Sequence, residues 1–221
     1  MITANVIHRV FRIGLDDQAG TAFTIDVDGK QYLITAKHLV RNVSGSESVK
    51  LFANFAWNTL DVELVGHAAE DIDISVLASK TRLTTGELPL VAASSGLTYG
   101  QDVHFLGFPY DILTRYIFEE EGYPLPLVKR ATVSAFDQEL YLLDGHNTPG
   151  FSGGPVVFTT GGGSDLRIAA VVSGFRAVEE PVFRKGQRTK LVYESNTGII
   201  VAYKIEHAVA LINDNPIGLA L

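Results

Sequence analysis

Ser152 lies in "NTPGFSGGPVV" (Asn147–Val157), among glycines and between two prolines. A serine hydroxyl is a weak nucleophile. It needs a base within hydrogen-bond reach, and the base needs a partner that fixes its tautomer and stabilises the imidazolium. Two upstream residues have suitable local settings. His38 closes the apolar run "YLITAKHLV", and Asp73 opens "DIDISVLA". Asp71 would share a strand face with Asp73. Asp73 is preferred because the apolar Ile74-Ser75-Val76-Leu77 follows it directly. Taken alone, the serine stretch also fits a tight turn feeding a strand. Gly150-Phe151-Ser152-Gly153-Gly154 further satisfies G-x-S-x-G, a nucleophile elbow, with His207 downstream. That elbow must pass from strand into helix, whereas Gly154–Phe158 reads as strand.

The elements that would hold these residues are short strands. β-branched and aromatic residues fill the runs, and Gly, Asp, Asn and Ser mark the breaks. "NVIHRVFRIGL", "TAFTIDV", "QYLITA", "SVKLFANFAW", "LDVELVGHA" and "ISVLAS" form a first set. "DVHFLGF", "ATVSAF", "LYLL", "GPVVFT", "RIAAVVSGF", "KLVYES" and "GIIVAYKI" form a second. Asp28-Gly29 marks a tight hairpin, and Leu83–Leu97 reads as a linker. Two sets of about six strands predict an all-β chain of two six-stranded antiparallel β-barrels. The expected units are 1–90, carrying His38 and Asp73, and 91–221, carrying Ser152 and a closing helix. That helix is signalled by Ile205, Ala208, Val209 and Ile212 at i, i+3, i+4 and i+7. Gly161-Gly162-Gly163 lacks the Lys-Ser/Thr of a phosphate loop and reads as a hairpin tip. Phe108–Lys129, with Glu119, Glu120 and Glu121, reads as a long functional loop or a solvated insertion.

Composition narrows the classes. The 221 residues carry a formal net charge of −7, so a broad nucleic-acid footprint is not expected. The densest basic group, Arg184, Lys185, Arg188 and Lys190, reads as a solvated hairpin. There is no cysteine, which excludes disulfides and thiolate metal sites. No apolar run reaches the roughly 18 residues of a membrane helix. No basic-then-apolar leader is evident at the N-terminus, so the cytoplasm is the default expectation. His8, His67, His104 and His207 read as surface or core histidines.

Together the motifs resemble those of trypsin-like serine proteases. "Leu33-Ile34-Thr35-Ala36-Lys37-His38-Leu39-Val40" is similar to their histidine motif, "Asp73-Ile74-Ser75-Val76-Leu77" to their aspartate motif, and "Pro149-Gly150-Phe151-Ser152-Gly153-Gly154-Pro155" to their serine motif. "Gly20-Thr21-Ala22-Phe23" resembles the strand before the histidine motif. The order His, Asp, Ser is the chymotrypsin order. Pro149 before Gly150, and "Thr197-Gly198-Ile199-Ile200-Val201" before the helix, resemble the HtrA/Deg-like bacterial branch. Only nine residues (221 − 212) follow Ile212, so no PDZ module of the HtrA type is expected.

The resemblance implies a chymotrypsin-like fold and peptide-bond hydrolysis without metal or organic cofactor. It implies Ser152 as nucleophile, His38 as base, Asp73 as its orienter, and the N–H groups of Gly150 and Ser152 as the oxyanion hole. It places His146, six residues before Ser152, at the floor of the specificity pocket, with Ser173, Gly174 and Phe175 pairing with a polypeptide substrate. A histidine at that floor would favour a polar or acidic side chain, or would be a spacer with no substrate contact. Phe151 replaces an acidic residue that pairs with a newly cut N-terminus in trypsin, so activation of that kind is not expected. Lys37 replaces a small residue and, on an extended backbone, would point away from His38. An inactive or latent protease-fold binding module is the alternative, and an esterase a further one.

Overall fold

The computed structural model describes residues 1–84, 90–111, 123–161 and 165–221. A helical turn, α1 (Ala4–Ile7), leads into β1 (Val10–Leu15), β2 (Gln18–Val27) and β3 (Lys30–Thr35). A second helical turn, α2 (Lys37–Val40), precedes β4 (Ser46–Ala53), β5 (Ala56–His67) and β6 (Ser75–Ser79). These strands pair in the order β3-β2-β1-β4-β5-β6, and β3 pairs again with β6, closing the ring. Asp28 and Gly29 both take positive φ at the β2–β3 hairpin, as its tight reversal requires.

The second half begins with the short β7 (Val91–Ala92), followed by β8 (Asp102–Gly107), β9 (Leu127–Phe136) and β10 (Leu140–Asp144). Then come β11 (Pro155–Thr159), β12 (Leu166–Arg184), β13 (Gln187–Lys204), α3 (Glu206–Asp214) and β14 (Leu219–Ala220). The order β11-β8-β9-β10-β13-β12, with β11 also pairing β12, makes a second ring. β7 lies parallel on β12, and β14 crosses back to pair with β3 of the first ring. The fold is thus the predicted pair of antiparallel barrels with a C-terminal helix. The return of β14 to the first barrel is an addition.

Among the described residues, three apolar cores explain the arrangement. One fills the first ring, with Phe11, Ile13, Leu33, Val49, Val62 and Leu77. One fills the second, with Val103, Phe105, Leu143, Phe151, Val156 and Val172. The third lies between them and draws on both: Phe23, Ile34, Ile74 and Val76 meet Leu106, Val157, Ile168 and Val171, with Ile205 at the N-cap of α3 and Ala208 and Ile212 within it. Strands such as β6 are buried on both faces, so their sequences read as continuous apolar runs.

Several sequence boundaries moved. "SVKLFANFAW" is a hairpin, not one strand, because Asn54 and Phe55 both adopt positive φ and reverse the chain. The exposed Phe55 hid that turn among apolar neighbours. The first run starts helical at Ala4. "KLVYES" and "GIIVAYKI" are one strand, and "RIAAVVSGF" runs on to Arg184. Asn196-Thr197-Gly198 is a bulge in a continuing ladder rather than a break, with Gly198 at positive φ. Of the proposed linker, residues 85–89 lie outside the described residues, as do Gly162, Gly163 and Glu119, Glu120 and Glu121.

Candidate active site

His38 does not end a strand; it sits in α2, immediately after β3. The helical turn aims its ring at Asp73, on the segment entering β6. His38 Nδ1 and Asp73 Oδ2 are 2.7 Å apart, and the His38 backbone N–H donates to Asp73 Oδ1 at 2.8 Å. The Ser173 hydroxyl, on β12, donates to Asp73 Oδ2 at 2.6 Å. Asp73 is 15% exposed and His38 42%, so the carboxylate is sheltered while the ring reaches solvent. Burial pushes the Asp73 pKa up, but the hydrogen bonds from His38 and Ser173 outweigh it, and the net shift is downward. Asp71 is exposed and makes no such contacts, which bears on the choice between the two acids.

Lys37 differs from its expectation. On a helical rather than extended backbone it reaches the loop before Asp73, and its Nζ donates to the carbonyls of Ala68, Ala69 and Glu70 at 3.2, 2.5 and 3.1 Å. It therefore ties α2 to the segment that delivers Asp73.

The serine loop is shaped by its glycines and by the first barrel. Gly150 has φ +104, and a Cβ there would collide with the Phe108 carbonyl, so only glycine fits. Gly153 N–H donates to the Val172 carbonyl at 2.7 Å, and Val172 N–H to the Gly154 carbonyl at 2.8 Å. These bonds dock the loop on β12. Thr21, on β2, is fully buried. It donates its backbone N–H to the Ser152 carbonyl at 2.8 Å and its hydroxyl to the Gly150 carbonyl at 2.7 Å. Among the described residues, neither the Gly150 N–H nor the Ser152 N–H has an acceptor within the chain. Two donors on either side of Phe151, one of them the serine's own N–H, without internal partners are what an oxyanion site requires.

The Ser152 hydroxyl itself donates to the Ser173 carbonyl at 2.8 Å rather than to the His38 ring. Beneath the loop, Phe151 is fully buried and packs edge-on against Phe105, with centroids 4.9 Å apart. Lys129 Nζ lies over both rings and donates to the His146 carbonyl. Burial lowers the Lys129 pKa. The His146 side chain is exposed. Ser173, Gly174 and Phe175 follow each other on β12 beside Ser152, each partly exposed.

The remaining histidines lie elsewhere. His67 bonds Ser75 Oγ at 2.6 Å and the Val43 carbonyl at 3.0 Å, and His207 pairs with Glu139 at 3.0 Å. Gly154–Phe158 runs into β11, not a helix, which removes the nucleophile-elbow reading. Lys37, Thr21, Lys129 and the Ser173 hydroxyl contribute to the site without having been assigned these contacts from sequence. The departure of Lys37 from the small residue expected before His38, the strand motif at Gly20–Phe23 and the substrate-pairing motif at Ser173 were the available signals.

Two barrels with His38 and Asp73 on the first and Ser152 on the second define the chymotrypsin-like class of fold. The trypsin-like peptidase domain family matches residues 20–162, and the chain belongs to that family. No curated protein matches. Among solved structures, the inactive form of Rv3671c protease of M. tuberculosis H37Rv shares 18% identity at TM-score 0.57, covering 96% of this chain and 91% of that one. The HtrA-type protease AlgW with a tripeptide shares 18% at TM-score 0.61, covering 95% of this chain and 60% of that one. A Glu endopeptidase in complex with MPD shares 15% at TM-score 0.61, covering 97% and 94%. The chain has the architecture of the trypsin-like proteases, and its family supports protease activity in general.

Proposed function

We propose that the protein is a serine endopeptidase in which Ser152 forms an acyl-enzyme intermediate with His38 as base and Asp73 as its orienter. The observation that carries this reading is the Asp73 carboxylate. It accepts from His38 twice and from Ser173 once, which holds the His38 ring with Nδ1 protonated and Nε2 turned outward as acceptor. Ser152 Oγ gives its proton to Nε2 as it attacks the scissile carbonyl. His38 then passes that proton to the leaving amine, and water repeats the sequence to release the acid. The charge developing on the carbonyl oxygen is met by the N–H groups of Gly150 and Ser152.

The resting hydrogen bond from Ser152 to Ser173 fits into this sequence. The Ser173 carbonyl would accept the N–H of the substrate residue before the cut. Binding would then displace the hydroxyl, which turns to His38. Gly174 and Phe175 would continue that pairing, and His146 and Phe175 would border the specificity pocket.

The same Ser152–Ser173 bond favours a second reading, a latent protease whose hydroxyl stays off the base. A serine-directed fluorophosphonate separates the two. Labelling of the wild type but not of Ser152→Ala supports the active reading. Absence of labelling in both refutes it in favour of latency. Hydrolysis of unfolded casein, lost in Ser152→Ala and His38→Ala, then distinguishes a peptidase from an esterase. A peptide-library profile reads the preference set by His146 and Phe175.

A further inference from the structure

β12 does not end at the site. On one side it pairs with β13 from Ala170↔Lys204 to Arg184↔Gln187, interrupted only by bulges. On its other side it is covered by β11 as far as Pro155↔Val171, and Val172 is bonded to Gly153 and Gly154. From Ser173 onward, no strand among the described residues pairs with that second side. The open edge begins at the residue whose carbonyl holds the Ser152 hydroxyl. It runs through Glu180 to Pro181, which has no N–H to offer a ladder. At strand rise, Ser173–Glu180 spans about 23 Å. That is more than twice the length used by Ser173–Phe175.

We propose that a polypeptide substrate docks as an added antiparallel strand along this whole edge, with the segment before the scissile bond paired residue by residue from Ser173 to Glu180. The inference rests on the serine-protease reading of the site and extends it to distant substrate residues. Strand addition takes its affinity from main-chain bonds, which demand an extended segment but little particular sequence. Continuity decides the occupant, since any chain already paired with Ser173–Phe175 runs directly onto the next residues of the same strand. Charge opposes a second copy. Glu179 and Glu194 are register partners on one face of the ribbon, Glu180 lies on the other face opposite Tyr193, and the exposed Arg176 stands nearer the site. Two such edges pairing about Glu179 and Glu180 would set these acids against each other, and like charges facing across strands repel. The fitting occupant is therefore a non-acidic extended segment. The exposed Val178 and Tyr193 offer apolar surface beside it.

The test uses peptides with three, five and eight residues before one common cleavable bond. A parallel set carries N-methylated amides at the distal positions, and another carries glutamate there. The wild type is expected to cleave the eight-residue peptide with kcat/KM about tenfold above the three-residue one, the effect of roughly two ordinary net hydrogen bonds. Distal N-methylation or glutamate should erase that gain. A shortened variant, with Val178–Ser195 replaced by Asn-Gly between the register partners Ala177 and Asn196, should keep three-residue turnover and lose the gain. Equal turnover at all lengths, or a gain that survives N-methylation, overturns the proposal. So does a wild-type dimer that becomes a monomer on shortening, because the edge would then belong to a second copy. Anisotropy of labelled peptides on Ser152→Ala reads length dependence without turnover. Failure of the serine-protease reading, seen as absent fluorophosphonate labelling, is therefore told apart from failure of the edge.

Discussion

Asp73 gathers three hydrogen bonds from two barrels, and its replacement should be disproportionate to its size. Asp73→Asn keeps the shape but can no longer hold the His38 tautomer, and kcat should fall by about 10⁴ in steady-state kinetics. The same variant reads the pKa shift. The folded Asp73 pKa lies below the ordinary aspartate value, so the carboxylate contributes stability that is present above that value and lost as pH falls through the folded pKa. The Tm difference between wild type and Asp73→Asn should hold steady from neutral pH to about 5 and shrink below about 4. A difference that grows on acidification would reverse the sign argued here. Gly150 makes a second residue-scale prediction. A Cβ would strike the Phe108 carbonyl and force the peptide out of place. Gly150→Ala should cost roughly 10²- to 10³-fold in kcat, the usual loss of one oxyanion donor, with fluorophosphonate labelling slowed in parallel.

At the scale of elements, the serine loop depends on β2. Thr21 donates to the Gly150 and Ser152 carbonyls, one bond from the side chain and one from the backbone. Thr21→Val keeps the volume and the backbone bond but strands the Gly150 carbonyl, a loss of about 1–3 kcal/mol. Turnover should fall several-fold or more, while circular dichroism and the β-sheet content stay unchanged. Unaltered kcat/KM would mean that the loop holds its shape without the first barrel. Lys37 plays a similar part for the aspartate segment, bridging α2 to the carbonyls of Ala68, Ala69 and Glu70. Much of this was visible only as pattern. "Gly20-Thr21-Ala22-Phe23" was readable as the strand before the histidine motif, but the partners of Thr21 are 129 and 131 residues away in sequence (150 − 21 and 152 − 21). No local periodicity can express such a bond.

Across the whole molecule, the two barrels share one apolar core, and the C-terminus fastens them. α3 and its N-cap pack Ala208, Ile212 and Ile205 into the shared core, and Asn215 Nδ2 donates to the Val65 carbonyl at 3.0 Å. Beyond it, β14 pairs Leu219 with Gln31, and the Leu221 N–H donates to the Gly29 carbonyl at 2.9 Å. Truncation before Pro216 should therefore lower Tm, by roughly 2–4 °C for each kcal/mol lost in a chain of this size. It should also reduce turnover through looser docking, although no site residue is removed. A truncated protein with full Tm would show β14 to be dispensable.

The sequence alone determined the alternation of strands and turns, the hairpin at Asp28-Gly29, the closing helix, and the three motifs around His38, Asp73 and Ser152. These signals are local: side-chain periodicity, turn chemistry and short runs of residue types. Only the tertiary structure decided that His38 rides a helical turn, that Asn54-Phe55 is a reversal, and that β12 and β13 run on as one long ribbon. It also decided that the Ser152 hydroxyl rests on Ser173, and that Ser173 reaches Asp73. Each of these follows from backbone hydrogen bonds and packing between distant segments. Ladder pairing carried β13 across the Asn196–Gly198 break, and the meeting of two barrels brought Asp73 and Ser173 within one hydrogen bond.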